Sequence, residues 1–381
     1  MTRPVYLDYN ATTPLKPAVI EAMTAALAEY GNPSSVHRFG RLARRSIETA
    51  REEVAGLVEA QPRQVVFTSG GTEANNLALA AAGAGRRLIV SAVEHDSVLN
   101  AAPDAERLPV DGRGEVDLAA LQAMLERDTR PALVAVMLAN NETGATQPIA
   151  LVTHLAHAHG ALVHCDAVQA AGKMAVDFTR LGVDTLALSA HKLGGPQGVG
   201  ALVVADGVDV KPLLKGGGQE RGWRAGTENV AAIRGFGVAA RLAAQDLAAM
   251  QALAALRDEM EARLLRASAD AVVFAAGAGR LPNTSCIASP NMSAETQVMA
   301  LDLAGIAVSA GSACSSGKIR PSHVLRAMGV APELAANAIR ISLGWKSRPE
   351  DIDHLVEAWT ALYARASTSR TGTAGRPRPA A

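Results

Sequence analysis

Six short, largely apolar runs, at 65–68, 88–92, 133–138, 161–165, 185–189 and 199–204, alternate with stretches of helical periodicity such as 72–82 and 149–159. Strands this apolar must be covered on both faces, and strands separated by helices cross over to lie parallel. The pattern therefore predicts an α/β domain built on a mostly parallel sheet. Beyond about residue 237 the rhythm changes. An Ala- and Leu-rich helical stretch at 238–267 leads to an apolar run at 306–310, a helix at 322–328 and another run at 339–343, which predicts a smaller α+β domain. The last stretch, 367–381, is Ser, Thr, Gly, Pro and Arg without apolar periodicity, and it predicts a disordered tail because it has too little to bury to offset ordering entropy.

Composition narrows the function classes. The chain has 381 residues, 49% of them hydrophobic, so it can bury a large core and fill two domains. Lys plus Arg and Asp plus Glu are both 37, leaving no charge excess to attract nucleic acid or an acidic membrane. The N-terminus lacks an apolar signal core and no long apolar run reads as a membrane span, so the expected location is cytoplasmic. Cys165, Cys286 and Cys314 are too scattered for a disulfide framework.

The chemistry concentrates where apolar runs end. SAHKLGGP, at 189–196, puts Lys192 beside a hydroxyl (Ser189) and an imidazole (His191) ahead of a glycine turn, which suits a Schiff base to an aldehyde cofactor whose phosphate needs donors. A surface lysine is the plain alternative, and the scarcity of lysine, seven in the chain, argues against it. The run 65–68 leads into Ser69-Gly70-Gly71-Thr72-Glu73 and a helix, so free amides and the positive end of the helix dipole would face an anion. An ordinary turn with Thr72 capping is the equal alternative. The spacing fits neither a dinucleotide nor a Walker motif.

HCDAVQ, at 164–169, offers Asp166 as partner to a protonated pyridine nitrogen and Gln169 as a donor to the same ring, or else Asp166 as a simple helix cap. His95 can stack on a planar ring or relay a proton, or merely cap a helix. The group His154, His157, His159, His164 and Cys165 has no metal-site spacing, and no metal is expected. SAGSACSSGK, at 309–318, carries Cys314 among residues too small to anchor a core. That predicts an exposed thiol on a mobile loop, its pKa lowered by Lys318 and Arg320.

Taken together, YLDYNATTP at 6–14, GNPSSVHRFGR at 31–41, FTSGGTEANN at 67–76, NNETG at 140–144, HCDAVQ, SAHKLGGPQGVGAL, GGGQERGWRAGTENV at 216–230, SAGSACSSG and AIRISLG at 338–344 resemble the cysteine desulfurases. These are pyridoxal 5'-phosphate enzymes of the class V aminotransferase fold (fold type I), and the likeness is to the NifS/IscS-like subgroup. It implies a large domain with a mostly parallel, seven-stranded type of sheet at 15–250, and a smaller α+β domain formed by 1–14 and 251–366.

The resemblance also implies roles. Lys192 would be the Schiff-base lysine and proton shuttle, Asp166 the pyridinium partner, Gln169 the donor to the ring hydroxyl, and His95 the stacking and proton-handling residue. Gly71, Thr72, Ser189 and His191 would hold the phosphate, joined by Thr227 from the second subunit of a homodimer. Asn141 and Arg340 would orient L-cysteine, and Cys314 would attack its sulfur, leaving alanine and a persulfide destined for an acceptor or iron–sulfur scaffold protein, with nitrogen fixation one possible setting. Selenocysteine lyase, another class V activity without a thiol, and a non-catalytic sulfur carrier are the alternatives. Cys314 speaks against a plain aminotransferase, and Lys192, Asp166 and His95 speak against a carrier without catalysis.

Overall fold

The computed structural model describes residues 3–81, 84–290, 292–310 and 322–373. Its largest sheet has seven strands, in the order Val65–Thr68, Gly200–Val204, Thr185–Ser189, Leu162–Asp166, Ala132–Ala135, Arg87–Ser91 and Glu106–Leu108. Gly200–Val204 runs antiparallel to both neighbours, and every other pair is parallel. Val65–Thr68 therefore points the same way as Thr185–Ser189. The carboxyl ends of six strands consequently meet along one edge, where open α/β sheets bind their ligands.

The expected strands lie within a few residues of those observed, and Val65–Thr68 and Thr185–Ser189 coincide with expectation. Both are buried at every position. Glu106–Leu108 escaped the periodicity analysis because it is a short edge strand of mixed polarity. The helical stretch at 238–267 is two helices, Val230–Gln245 and Leu247–Ala267, broken at Asp246. The core between sheet and helices is filled by Ile47, Val134, Leu186 and Phe236, among others.

A second, four-stranded antiparallel sheet orders Ser309–Ala310, Ala338–Ser342, Thr284–Ala288 and Val272–Val273. The run at 306–310 is divided between two sheets: Ile306–Ala307 pairs in parallel with Val5–Tyr6, and Ser309–Ala310 pairs with Ala338–Ser342. Val5 and Leu7 pack into the same apolar cluster as Ile306, Ile341 and Trp359. The next residues, from Asp8 to Pro14, then reach the carboxyl edge of the large sheet: Thr13 N donates to His191 O, at 2.8 Å.

The last helix, Pro349–Thr373, extends into the stretch 367–381 for which a disordered tail is expected. A helix already nucleated over Pro349 to Arg365 extends at the cost of one residue at a time, which a polar sequence without an interior proline tolerates. The rest of that tail, 374–381, lies outside the described residues.

Candidate active site

A cavity of about 330 Å³ opens at the carboxyl edge of the large sheet. Gly71, Thr72, His95 and Asn141 line it, together with Asp166, Gln169, Ser189, His191, Lys192 and Arg340. The wall formed by the helix Gly71–Ala81 depends on a missing side chain, since a Cβ on Gly71 would stand 2.7 Å from Val168 Cγ2. Glu73 accepts the Ser69 amide at 2.8 Å and pairs with Arg224 Nε at 2.9 Å, so the turn before this helix is held from within.

Asp166 sits at the floor, 5% exposed. Its Oδ2 accepts from Asn75 Nδ2 at 2.7 Å and its Oδ1 from the Val168 amide at 2.9 Å. Asn75 is oriented in turn by His164, whose Nε2 lies 3.0 Å from Asn75 Oδ1 and whose Nδ1 lies 2.9 Å from Thr185 Oγ1. Burial lowers the His164 pKa to about 4, so this imidazole is a neutral donor. Among the described residues no cation pairs with Asp166. A buried carboxylate with two neutral donors calls for a positive partner from the cavity.

Lys192 ends the short 3₁₀ turn Ala190–Lys192, and its Nζ donates to Asn10 O at 2.5 Å and Ala11 O at 2.8 Å. Burial first, then the Arg340 charge, lowers its pKa to about 8, so it gives up its proton far more readily than an ordinary lysine. His191 is pushed down to about 4 by burial and by Lys192, and is neutral. His95 lines the cavity, and its Nδ1 accepts the Ser97 amide at 3.1 Å as the cap of Asp96–Leu99, so capping and a place at the cavity are compatible.

Arg340 reaches in from the second sheet. Its Nη2 donates to Asp8 Oδ1 at 2.8 Å and its Nη1 to Asn141 O at 3.1 Å, while Nε is buried without a partner. The guanidinium is thus aimed from two sides with donor capacity left over. Asn141 is presented by a turn that Asn140 organises, its Oδ1 accepting the amides of Glu142 and Thr143.

Two expected site residues are not placed in this cavity. Thr227 is exposed and does not line the cavity of its own chain. Cys314, with Lys318 and Arg320, falls in 311–321, outside the described residues. The residues flanking that segment are at the site, however: His323 lines the cavity, and Ser309 Oγ donates to Asp8 Oδ2 at 2.8 Å, the carboxylate that holds Arg340. Among the described residues no group of three or more His, Cys, Asp or Glu could hold a metal ion; His157 pairs with Asp184 instead.

Sequence reasoning assigned no role to Asp8, Asn10, Asn75 or Lys173. The first three stand inside quoted motif blocks, and that was their only signal. Lys173 is 3% exposed, and the scarcity of lysine was its only hint.

The aminotransferase class-V family matches residues 5–355. A cysteine desulfurase of Cereibacter sphaeroides is 46% identical, covering 93% of this chain and 94% of its own. Cysteine desulfurase IscS of Dictyoglomus turgidum is 42% identical, covering 97% and 96%. The X-ray structure of a NifS-like protein from Rickettsia africae superposes with a TM-score of 0.88 at 35% identity, covering 95% of this chain and all of that one. With the fold, the strand-edge cavity and these full-length likenesses in agreement, the chain belongs to the class V aminotransferase family, in its cysteine desulfurase branch.

Proposed function

We propose that the protein takes sulfur from L-cysteine with the help of pyridoxal 5'-phosphate, releasing L-alanine and leaving a persulfide on Cys314 for an acceptor or iron–sulfur scaffold protein. One observation carries this reading: a buried carboxylate without a cation among the described residues, a lysine whose pKa is lowered to about 8, and an arginine converge on one cavity. The donor set fits the cofactor. Asp166 would face its protonated ring nitrogen, Gln169 its ring oxygen, and Gly71, Thr72, Ser189 and His191 its phosphate. When bound, the cofactor supplies an electron sink for the bonds around the substrate's α-carbon.

The chain's own groups do the rest. The Nη hydrogens of Arg340 not taken by Asp8 and the Asn141 carbonyl grip the substrate carboxylate, those two partners fixing the guanidinium plane. Asn141 orients the bound amino acid. Lys192 Nζ, with a pKa of about 8, holds the cofactor and moves a proton to and from the substrate carbon. His95, its Nδ1 taken by the Ser97 amide, serves as a second proton carrier through Nε2. Cys314 Sγ, as thiolate, bonds to the substrate sulfur while the Cβ–S bond breaks, and the electron pair left on Cβ takes up a proton to give alanine.

We read the protein as a cytoplasmic homodimer with the domain division at about residue 250, Thr227 completing the phosphate site of the second subunit. Two facts support the dimer. Tyr30, Val36, Phe39 and Leu42 are exposed apolar residues close together in sequence. Glu228, beside Thr227, pairs with Arg44 at 3.5 Å on the same helix as Phe39 and Leu42.

Arg340→Gln tests the substrate assignment. It should raise KM for L-cysteine about tenfold to a hundredfold, the scale of a lost charge-assisted pair, with cofactor binding retained. An unchanged KM would contradict the reading.

A further inference from the structure

We propose that Lys173 is a positioning residue for the cofactor site, acting through Gln169 by fixing which edge of that amide faces the cavity. The proposal rests on the pyridoxal phosphate reading and goes beyond it, because Lys173 does not line that cavity.

Among the described residues Lys173 is the one buried lysine, and no carboxylate pairs with it. Its Nζ instead donates to Gln169 Oε1 at 2.6 Å and Asn10 Oδ1 at 2.7 Å. Burial drives its pKa well below the ordinary lysine value, with Lys192 and Arg340 adding to the effect. A buried amine paired only with neutral oxygens is a poor way to gain stability, since an apolar side chain of similar volume would do as well or better. Its chemistry explains its presence better. Its Nζ donates an N–H to each of the two side-chain oxygens within reach, so both amides turn their oxygens toward it.

Gln169 and Asn10 therefore have no choice of flip. With Oε1 held by Lys173, Gln169 turns Nε2 the other way, where it donates one proton to Asn10 O at 3.0 Å and keeps the second for the cavity. Asn10 turns its Nδ2 toward Thr284 Oγ1 at 2.9 Å and Asn141 O at 3.2 Å. The backbone oxygen of Asn10 that receives Gln169 is also the one that receives Lys192 Nζ. One lysine thus ensures that the cavity meets a donor at Gln169, the polarity an anionic ring oxygen needs, and steadies the acceptor on which Lys192 rests.

The test is a double-mutant cycle on the full chain, read by pyridoxal phosphate affinity and by the position of the bound cofactor's visible absorption band. Lys173→Met should bind the cofactor about tenfold to a hundredfold more weakly and shift the band, the scale of leaving a buried amide oxygen unsatisfied. In a Gln169→Leu background the same change should cost less than about twofold, because interacting residues are not additive. Lys173→Gln, which keeps an N–H donor, should recover most of the affinity. A crystal structure of the loaded wild type should show Lys173 Nζ on Gln169 Oε1, and this holds whether or not the variants fold. Wild-type affinity and band in Lys173→Met, an equal cost in both backgrounds, or Gln169 Oε1 turned to the cofactor would overturn the proposal. Failure of the wild type to take up pyridoxal phosphate would instead contradict the cofactor reading on which it rests.

Discussion

A lysine amine is a nucleophile only after losing its proton, and the surroundings of Lys192 are arranged for that loss. Burial withholds the water that would solvate an ammonium, and Arg340 adds a like charge, so the pKa falls from 10.5 to about 8. In cofactor-free protein the labelling of Lys192 by an amine-reactive reagent should therefore rise tenfold per pH unit only up to about pH 8 and then level off. An ordinary lysine keeps rising to about pH 10. Peptide-resolved mass spectrometry across that range checks this, and a Lys192 profile like that of the surface lysines would contradict the assignment. At this scale the sequence was legible wherever a chemical group stood at the end of an apolar run. Asp166 ends its strand, Lys192 and His95 come within four residues of the ends of theirs, and the punctuation marks them. Asp8 and Asn10 were not legible, because their meaning lies in partners far along the chain: Asp8 with Arg340, and Asn10 with Thr284 and Lys173.

Among the elements, Gly200 shows how closely the strand ends must meet. It pairs with Thr68 on one side and Ser189 on the other, the residues that lead into the two loops proposed to hold phosphate. A Cβ there would lie 2.6 Å from both the Gly70 carbonyl carbon and the Leu188 oxygen, and backbone cannot swing aside. Gly200→Ala should cost about 1–3 kcal/mol in urea unfolding, the usual scale of overpacking, and weaken cofactor binding. Gly56, in the helix Arg38–Leu57, has nothing within 4 Å of such an atom. Gly56→Ala should be stabilising by about 0.4–1 kcal/mol. Equal effects at the two sites would contradict this geometry. Elements were legible in proportion to their burial. Fully apolar central strands announced themselves, and the run expected at 133–138 does keep bonding beyond Ala132–Ala135, with Val136 N on His164 O and Leu138 N on Asp166 O. The switch of sheets at 306–310 was hidden, since alternation along one short segment cannot say that its two halves pair with different strands.

For the molecule as a whole, the large sheet supplies the floor of the cavity and the second sheet supplies Arg340, with Asp8 to Pro14 running between them. On the proposed reading, the first part would steady the cofactor and the second would bring the Arg340 grip on the substrate carboxylate. The order of motif blocks made this plan readable through resemblance, whereas spacing alone could not say that residues 8 and 340 would share an ion pair. The most direct test of the central claim is the intact mass of the enzyme after a single turnover with L-cysteine, with peptide mapping and alanine counted per active site. The account predicts one added sulfur atom on Cys314 and one alanine released, with Cys314→Ser losing at least about two orders of magnitude in alanine formation. Alanine release without added sulfur on Cys314, or near-normal alanine formation by Cys314→Ser, would contradict it.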